Sequence, residues 1–342
     1  MASGNGLVIC LPESFGRELT LLINERVKQY NQEESPTIMA AAAEIALRDA
    51  MFGLPELVRS IEQFYRRAEH GYLLLRGMFE VGELPHTPDD DTAPHFESWR
   101  SAAAILMGIL QLSAHRCGSY LDESGGRLAH MVMPARNSEQ SYARSTKALS
   151  FHTEVVNGYF LEEMDLRPFG AASPEVFGLV CQRNSHGVAT TALSLDALLR
   201  RLPYETVQTL MQPIYRTHSQ SSFDRDIVAD KVPVLTRLNN GQLGIRYSHS
   251  KLHAVDAQGE VALALLREAL LAPADIERLV LEPGDLVLFN NRRCLHGRDP
   301  VRETARFDGK DRWLIRMYGF SHALWSLVNK SPDRHHVIVV PP

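Results

Sequence analysis

The chain has 342 residues, 44% of them apolar and 23% charged, with 36 basic side chains against 41 acidic ones and a formal net charge of −5. That length and apolar share allow one large buried core or two small ones, and the mild acidity argues against a nucleic-acid partner, which draws on a basic excess. No stretch reaches the roughly 18 uninterrupted apolar residues of a membrane span, and "MASGNGLVICLPESF" lacks the basic start and long apolar centre of a secretion signal, so a cytoplasmic protein with no membrane partner is expected.

In chain order, helical spacing runs over 12–30 and again over 38–68, where Ile45, Met51, Leu54, Leu57, Ile61, Phe64 and Tyr65 recur at threes and fours. "GYLLLRG" (71–77) reads as a buried strand bounded by glycines, and 81–94 as a polar, proline-bearing loop. A further helix is expected over 97–120. From about 127 the character changes to short apolar runs: "LAHMVMP", "ALSFHTE", "EVFGLVCQR", "PIYRTH", "VPVLTR", "QLGIRYS", "ERLVL", "DLVLFNN" and "RWLIRMYGFS". Helices at 195–202, with a sequel, and at 260–271 interrupt them. Many short strands between turn residues point to a β-sandwich or barrel with the early helices packed on one sheet. No Gly/Ser linker divides the chain, so a single domain over 1–342 is expected, helical to about 125 and strand-rich over about 126–325. Cysteines 10, 117, 181 and 294 form no CxxC pair and read as isolated thiols of a reducing compartment, Cys181 and Cys294 as small buried apolar residues.

The chemistry starts at "FHTEVVNGYF" (151–160). Alternation along a strand puts His152 and Glu154 on one face and turns Thr153 away. By itself the pair is either chance polarity or two metal ligands. In "EPGDLVLFNNRRCLHGRDP" (282–300) a tight turn, a buried strand and a second turn lead to His296 at a strand end. Two imidazoles and one carboxylate occupy one face of an octahedral metal and leave three positions open, the ligand set of non-haem Fe(II) oxygenases. In "RFDGKDRWLIRMYGF" (306–320), Arg312 and Arg316 share a face amid apolar bulk. Two arginines there are costly unless each meets an anion. Those anions are either structural Asp or Glu partners, or the carboxylates of a co-substrate and a substrate.

Together, "FHTE", "PGDLVLFNNRRCLHGR" and "RFDGKDRWLIR" resemble the Fe(II)/2-oxoglutarate dioxygenases of the clavaminate-synthase-like group, which includes amino-acid hydroxylases and is related to taurine dioxygenase. The resemblance runs from about 70 to 325 and is strongest over 282–320. It implies a mainly β fold with helical insertions, a double-stranded β-helix (jelly roll) flanked by N-terminal helices. It implies that His152, Glu154 and His296 hold Fe(II), and that Arg312 binds the distal carboxylate of 2-oxoglutarate. A threonine hydroxyl on that co-substrate falls at Thr190, with Thr191 as the near neighbour, and Arg316 falls where relatives pair with the substrate's α-carboxylate. The co-substrates would be 2-oxoglutarate and O2. Related halogenases lack the carboxylate ligand, so Glu154 implies hydroxylation or desaturation.

The sequence departs from the group at the substrate. Relatives acting on cationic amino acids place acidic residues after the strand corresponding to "GQLGIRY"; here "SHSKLHAVD" offers Ser248, His249, Ser250, Lys251 and His253. Unless this is only a solvated loop, His249 and Lys251 suit a neutral or acidic side chain better than a cationic one. His130 stands where relatives often carry a glutamine near the substrate amino group, and is either that contact or a core histidine; Gln140 is a second candidate. The polar run 217–231 is either a lid over the site or a surface loop. The expected function is hydroxylation of an amino acid in secondary metabolism, free or presented by a carrier protein. The alternatives are a desaturase, an oxygenase of a sulfonate or cyclic dipeptide, and, from another class, a non-catalytic jelly-roll binding protein.

Overall fold

A computed structural model describes residues 6–89, 94–135, 146–163, 171–272, 274–301 and 305–341. The chain begins with β1 (Gly6–Cys10), which pairs in parallel with β2 (Tyr72–Arg76). Between them lie α1 (Glu13–Val27), α2 (Pro36–Ala50) and α3 (Pro55–Arg67). The expected single helical run over 38–68 is therefore two helices. Pro55 opens the first turn of α3, where its missing N–H costs nothing, and the break falls just before it. The helix expected over 97–120 is also shorter. α4 (Arg100–Leu112) stops at Ala114, whose φ of 64° leaves the helical region, and β3 (His115–Tyr120) follows.

Next come β4 (His130–Val132), β5 (Leu149–His152), β6 (Val176–Arg183), β7 (Ala189–Ser194), α5 (Leu195–Leu199) and α6 (Tyr204–Leu210). Four short strands follow: β8 (Tyr215–His218), β9 (Val228–Val232), β10 (Leu235–Arg237) and β11 (Leu243–Ile245). After β12 (Leu252–Ala254), α7 (Ala257–Leu271) starts three residues earlier than expected, because the Asp256 side chain accepts the Gly259 N–H at 2.7 Å and caps it. The chain finishes with β13 (Glu277–Val280), β14 (Leu286–Asn290), β15 (Cys294–Arg298), β16 (Trp313–Ser321), α8 (His322–Trp325) and β17 (Val337–Ile338). None of the described helices is long and apolar enough to cross a membrane.

Two sheets frame the site. The larger has the order β1-β2-β14-β6-β16-β3-β17, with β4 beside β16; the smaller has the order β13-β7-β15-β5. Strand alternation sorts their side chains into layers. Leu286, Leu288, Trp313, Ile315 and Met317 join the core that contains α1, α2 and α4. Their neighbours Val287, Phe289, Leu314 and Tyr318 point the other way, into a second core shared with Ala192 and Cys294 of the smaller sheet. Beyond that sheet, Leu193 and Leu295 meet a third core with α5, α6 and α7. Each fully buried leucine contributes roughly 1.5–3 kcal/mol, and the layering fixes which side of β15 and β16 faces inward.

The run 217–231 is largely a hairpin: β8 and β9 pair antiparallel, with Thr217 opposite Ala229. Its loop is tied down by Ser219, which accepts the Ile227 N–H at 3.0 Å and donates to the Arg225 carbonyl at 2.9 Å.

Candidate active site

The inward side of β15 carries His296, whose neighbour Leu295 faces the outer core. His296 thus stands in the middle of a strand, not at its end. β5 pairs antiparallel with β15, and His152 lies directly opposite His296. That register, which the sequence does not display, brings the two imidazole centroids to 4.1 Å. Phe177, from the larger sheet, lies 4.4 Å from the His296 ring.

Glu154 falls beyond the end of β5, in a turn where Val155 adopts a φ of 51°. Thr153 faces away as expected: its hydroxyl accepts the Tyr247 N–H at 3.1 Å. What holds Glu154 is Asn291, in the turn between β14 and β15. The Asn291 side chain accepts the Glu154 N–H at 2.8 Å and donates to the Glu154 carbonyl at 3.0 Å and to the Pro174 carbonyl at 2.8 Å. In the sequence, Asn291 reads only as a turn residue. Its amide completes the backbone pairing that the strand has stopped supplying. Asn291→Ala is expected to weaken the affinity for any metal held through Glu154 about 10–100-fold, as loss of an outer support to a ligand does, read by anaerobic metal titration.

His152, Glu154 and His296 offer ligand atoms that all lie within 4.8 Å of one another. The His152 Nδ1 sits 2.9 Å from the Ser150 carbonyl, so that nitrogen carries the proton and Nε2 keeps its lone pair for a metal. The His296 Nε2 lies 3.3 Å from Glu154 Oε1, while its buried Nδ1 has no partner among the described residues. Burial, then the neighbouring His296, pushes His152 down to about 3, so it stays neutral and able to ligate. For Glu154, burial pushes upward, but Arg316 and then the two histidines outweigh it, and the carboxyl is held ionised. Two imidazoles and a carboxylate in one buried cluster fit a ferrous ion with open positions.

A cavity of about 200 Å³ opens onto this cluster. Of the candidates named from sequence, His152, Glu154, His296, Arg312, Thr190, Arg316, His249 and Lys251 all line it. Arg312, just before β16, donates from Nη2 to the Thr190 hydroxyl at 3.1 Å. It meets no carboxylate within 4.0 Å among the described residues, and burial pushes its guanidinium down to about 10. A buried cation of that kind needs an anion. Arg298, missed from sequence, lines the same wall and donates to the Lys147 carbonyl at 2.7 Å.

Arg316 already meets protein anions. Its Nη1 donates to both Glu154 oxygens at 2.8 Å, and its Nη2 to Glu123 at 3.2 Å. His130 does not line the cavity; it stands behind Arg316, with Nδ1 3.3 Å from Nη2, and burial lowers its pKa. Thr191 points away from the cavity beside Thr190, and Gln140 lies outside the described residues. Gln220, from the β8–β9 loop, lines the cavity and donates to Glu154 Oε2 at 3.2 Å, so this hairpin covers the cluster. Glu123 is fully buried and also accepts from Ser222 at 2.7 Å and Tyr318 at 3.2 Å. Glu123 belongs to none of the motifs that the sequence displays.

A family model described as "Taurine catabolism dioxygenase TauD, TfdA family" matches residues 31–318. Among characterised proteins, the chain is 29% identical over 266 residues to clavaminate synthase 2 of Streptomyces clavuligerus, covering 73% of this chain and 74% of that one. It is 28% identical over 281 residues to the L-asparagine oxygenase of Streptomyces coelicolor, covering 80% and 78%. Its fold is that of asparagine oxygenase solved with Fe(II), 2S,3S-3-hydroxyasparagine and succinate, with a TM-score of 0.79 and 23% identity over 98% of this chain and 99% of that one. The non-heme iron oxygenase OrfP, solved with Fe and alpha-ketoglutaric acid, superposes with a TM-score of 0.77 and 20% identity over 98% and 100%. With the family match spanning both halves of the ligand cluster, the chain belongs to the TauD, TfdA dioxygenase family and is an Fe(II)/2-oxoglutarate-dependent dioxygenase.

Proposed function

We propose that the enzyme hydroxylates an unactivated C–H of an amino acid, with the whole chain acting as one catalytic domain of jelly-roll type. The observation that carries this reading is the meeting, in one cavity, of the His152–Glu154–His296 cluster and the buried Arg312–Thr190 pair. In this reading His152, Glu154 and His296 hold iron. Ferrous iron with 2-oxoglutarate and O2 supplies the oxidation: one oxygen atom enters the substrate C–H, the other enters succinate, and CO2 leaves.

The chain's own residues do the positioning. Arg312 and Thr190 grip the distal carboxylate of 2-oxoglutarate, matching a planar guanidinium to a carboxylate. Arg316 presents its charge to the substrate's α-carboxylate while steadying Glu154, and His130 supports Arg316 from behind. Phe177 and Leu179 keep the cavity wall apolar and limit water. His249 and Lys251, with no acidic residue beside them on the described wall, favour a neutral or acidic substrate side chain over a cationic one. The relatives named for amino-acid oxidation, among them an enduracididine beta-hydroxylase of Streptomyces hygroscopicus, support a role in secondary metabolism. A carrier protein presenting the amino acid is the variant in which Arg316 serves another anion. All four cysteines are free thiols, as suits the cytoplasm, and burial pushes Cys181 and Cys294 up to about 12.

The test is a panel of free and thioester-linked amino acids assayed for substrate-stimulated succinate. A product heavier by one oxygen supports hydroxylation, and loss of two hydrogens marks a desaturase. No stimulation by any amino acid, free or linked, turns the reading toward a sulfonate or cyclic dipeptide. Within the same assay, Thr190→Val is expected to raise the 2-oxoglutarate KM roughly fivefold, about 1 kcal/mol for one lost hydrogen bond, with kcat little changed.

A further inference from the structure

Resting on the reading above, we propose that the substrate carries a side-chain carboxylate and that Lys251 selects it. The wall of the cavity is unbalanced in charge. Among the described residues lining it, Glu154 is the sole carboxylate, against Lys251, Arg298, Arg312 and Arg316. Three of those cations have an assignment. Arg316 is engaged by Glu154 and by Glu123 behind it, and in the proposed site by the substrate's α-carboxylate. Arg312 faces the distal carboxylate of 2-oxoglutarate in the proposed site. Arg298 is engaged on the Lys147 side of the wall.

Lys251 is left over. Its ammonium meets no carboxylate within 4.0 Å among the described residues, although its backbone is fixed: its carbonyl accepts the His218 N–H at 2.9 Å, immediately before β12. The residue also borders a second, more open recess of about 310 Å³, which shares Gln220, Ser221, Ser250 and Lys251 with the first cavity. The recess adds His218 and His253, and its Asp226 is already bound to the His218 Nδ1 at 2.8 Å. Lys251 is thus a half-buried cation on the partition between two hollows. A cationic side chain arriving there meets a like charge, and the acid of the neighbouring recess, Asp226, is already engaged by His218. An amide leaves the ammonium uncompensated. A carboxylate pairs with it, and the Ser221, Ser248 and Ser250 hydroxyls on the same wall supply donors for its remaining lone pairs.

The experiment compares L-aspartate with L-asparagine and L-glutamate with L-glutamine, with L-2-aminoadipate added. kcat/KM is taken from succinate release, and affinity from anaerobic calorimetry on the Fe(II)- and 2-oxoglutarate-loaded protein. The expected result is that one acid exceeds its own amide by roughly tenfold or more. Lys251→Met should bring that ratio close to one, and Lys251→Glu should invert it. The ratio is internal to each protein, so partial unfolding of a variant does not imitate the change. An acid handled no better than its amide, or a ratio untouched by Lys251→Met, overturns the assignment. Substrate-independent succinate formation by the wild-type protein separates the two levels. If it persists while acids and amides are treated alike, only the carboxylate inference falls. If it is absent and no panel member elicits it, the amino-acid reading falls and the inference with it.

Discussion

Replacing His296 by alanine is expected to lower iron-dependent turnover by roughly three orders of magnitude or more, the scale on which a catalytic metal acts. The substitution removes one of the three proposed donors and leaves His152 and Glu154, too few to hold the ion against water. Arg316 keeps Glu154 ionised in the variant, since it contacts both carboxylate oxygens without help from His296. The variant therefore separates loss of metal from loss of the local fold. The His296 ring, packed between His152 and Phe177, leaves a cavity that costs on the order of 2 kcal/mol in stability. Circular dichroism should show a folded protein, and metal titration should show ferrous affinity lost. Iron-dependent succinate formation at near wild-type rate would remove His296 from the ligand set.

The second large effect is at Arg312. Arg312→Ala should raise the 2-oxoglutarate KM by an amount equivalent to about 2–5 kcal/mol, the usual result of leaving a buried charge unpaired, which is roughly 30- to several-thousandfold. At saturating co-substrate, kcat should fall far less, because in the proposed site the guanidinium grips the end of the molecule remote from the metal. Arg312→Lys should be intermediate: it keeps the charge and loses the planar fork. A thermal measurement separates this role from a structural one. In the wild type, a buried arginine with no carboxylate partner among the described residues destabilises the free protein, and 2-oxoglutarate should raise Tm by mass action. In Arg312→Ala the shift on adding 2-oxoglutarate should vanish, while the free protein is no less stable. An unchanged 2-oxoglutarate dependence would remove the assignment.

Much of the site is legible in the chain because its chemistry is bunched. His152 and Glu154 lie two apart, Arg312 and Arg316 four apart, and in each pair both side chains face the cavity. The residues around β16 alternate cleanly between the helical core and the inner core, which makes a buried arginine on that strand conspicuous. What is not legible depends on contacts distant in sequence. The opposition of His152 to His296 is a register between strands more than 140 residues apart. Asn291 looks like one more turn residue until its amide is seen bridging the Glu154 backbone. Glu123 lies outside every motif of the sequence, and is buried where Arg316, Tyr318 and Ser222 converge on it. Among the elements, local patterns ran on too far. Apolar periodicity extends α4 across Ala114 into β3, since neither a positive φ nor a strand pairing leaves a mark in hydrophobic spacing, and it runs α2 into α3 because spacing alone ignores the helix-opening Pro55.

The most direct test of the whole account is an anaerobic titration of the metal-free protein with Fe(II) in the presence of 2-oxoglutarate, followed by visible absorption. The account predicts one ferrous ion per chain and a weak metal-to-ligand charge-transfer band that requires both additions and is lost in Glu154→Ala. A protein that binds no stoichiometric iron, or whose spectrum is indifferent to 2-oxoglutarate, would contradict it.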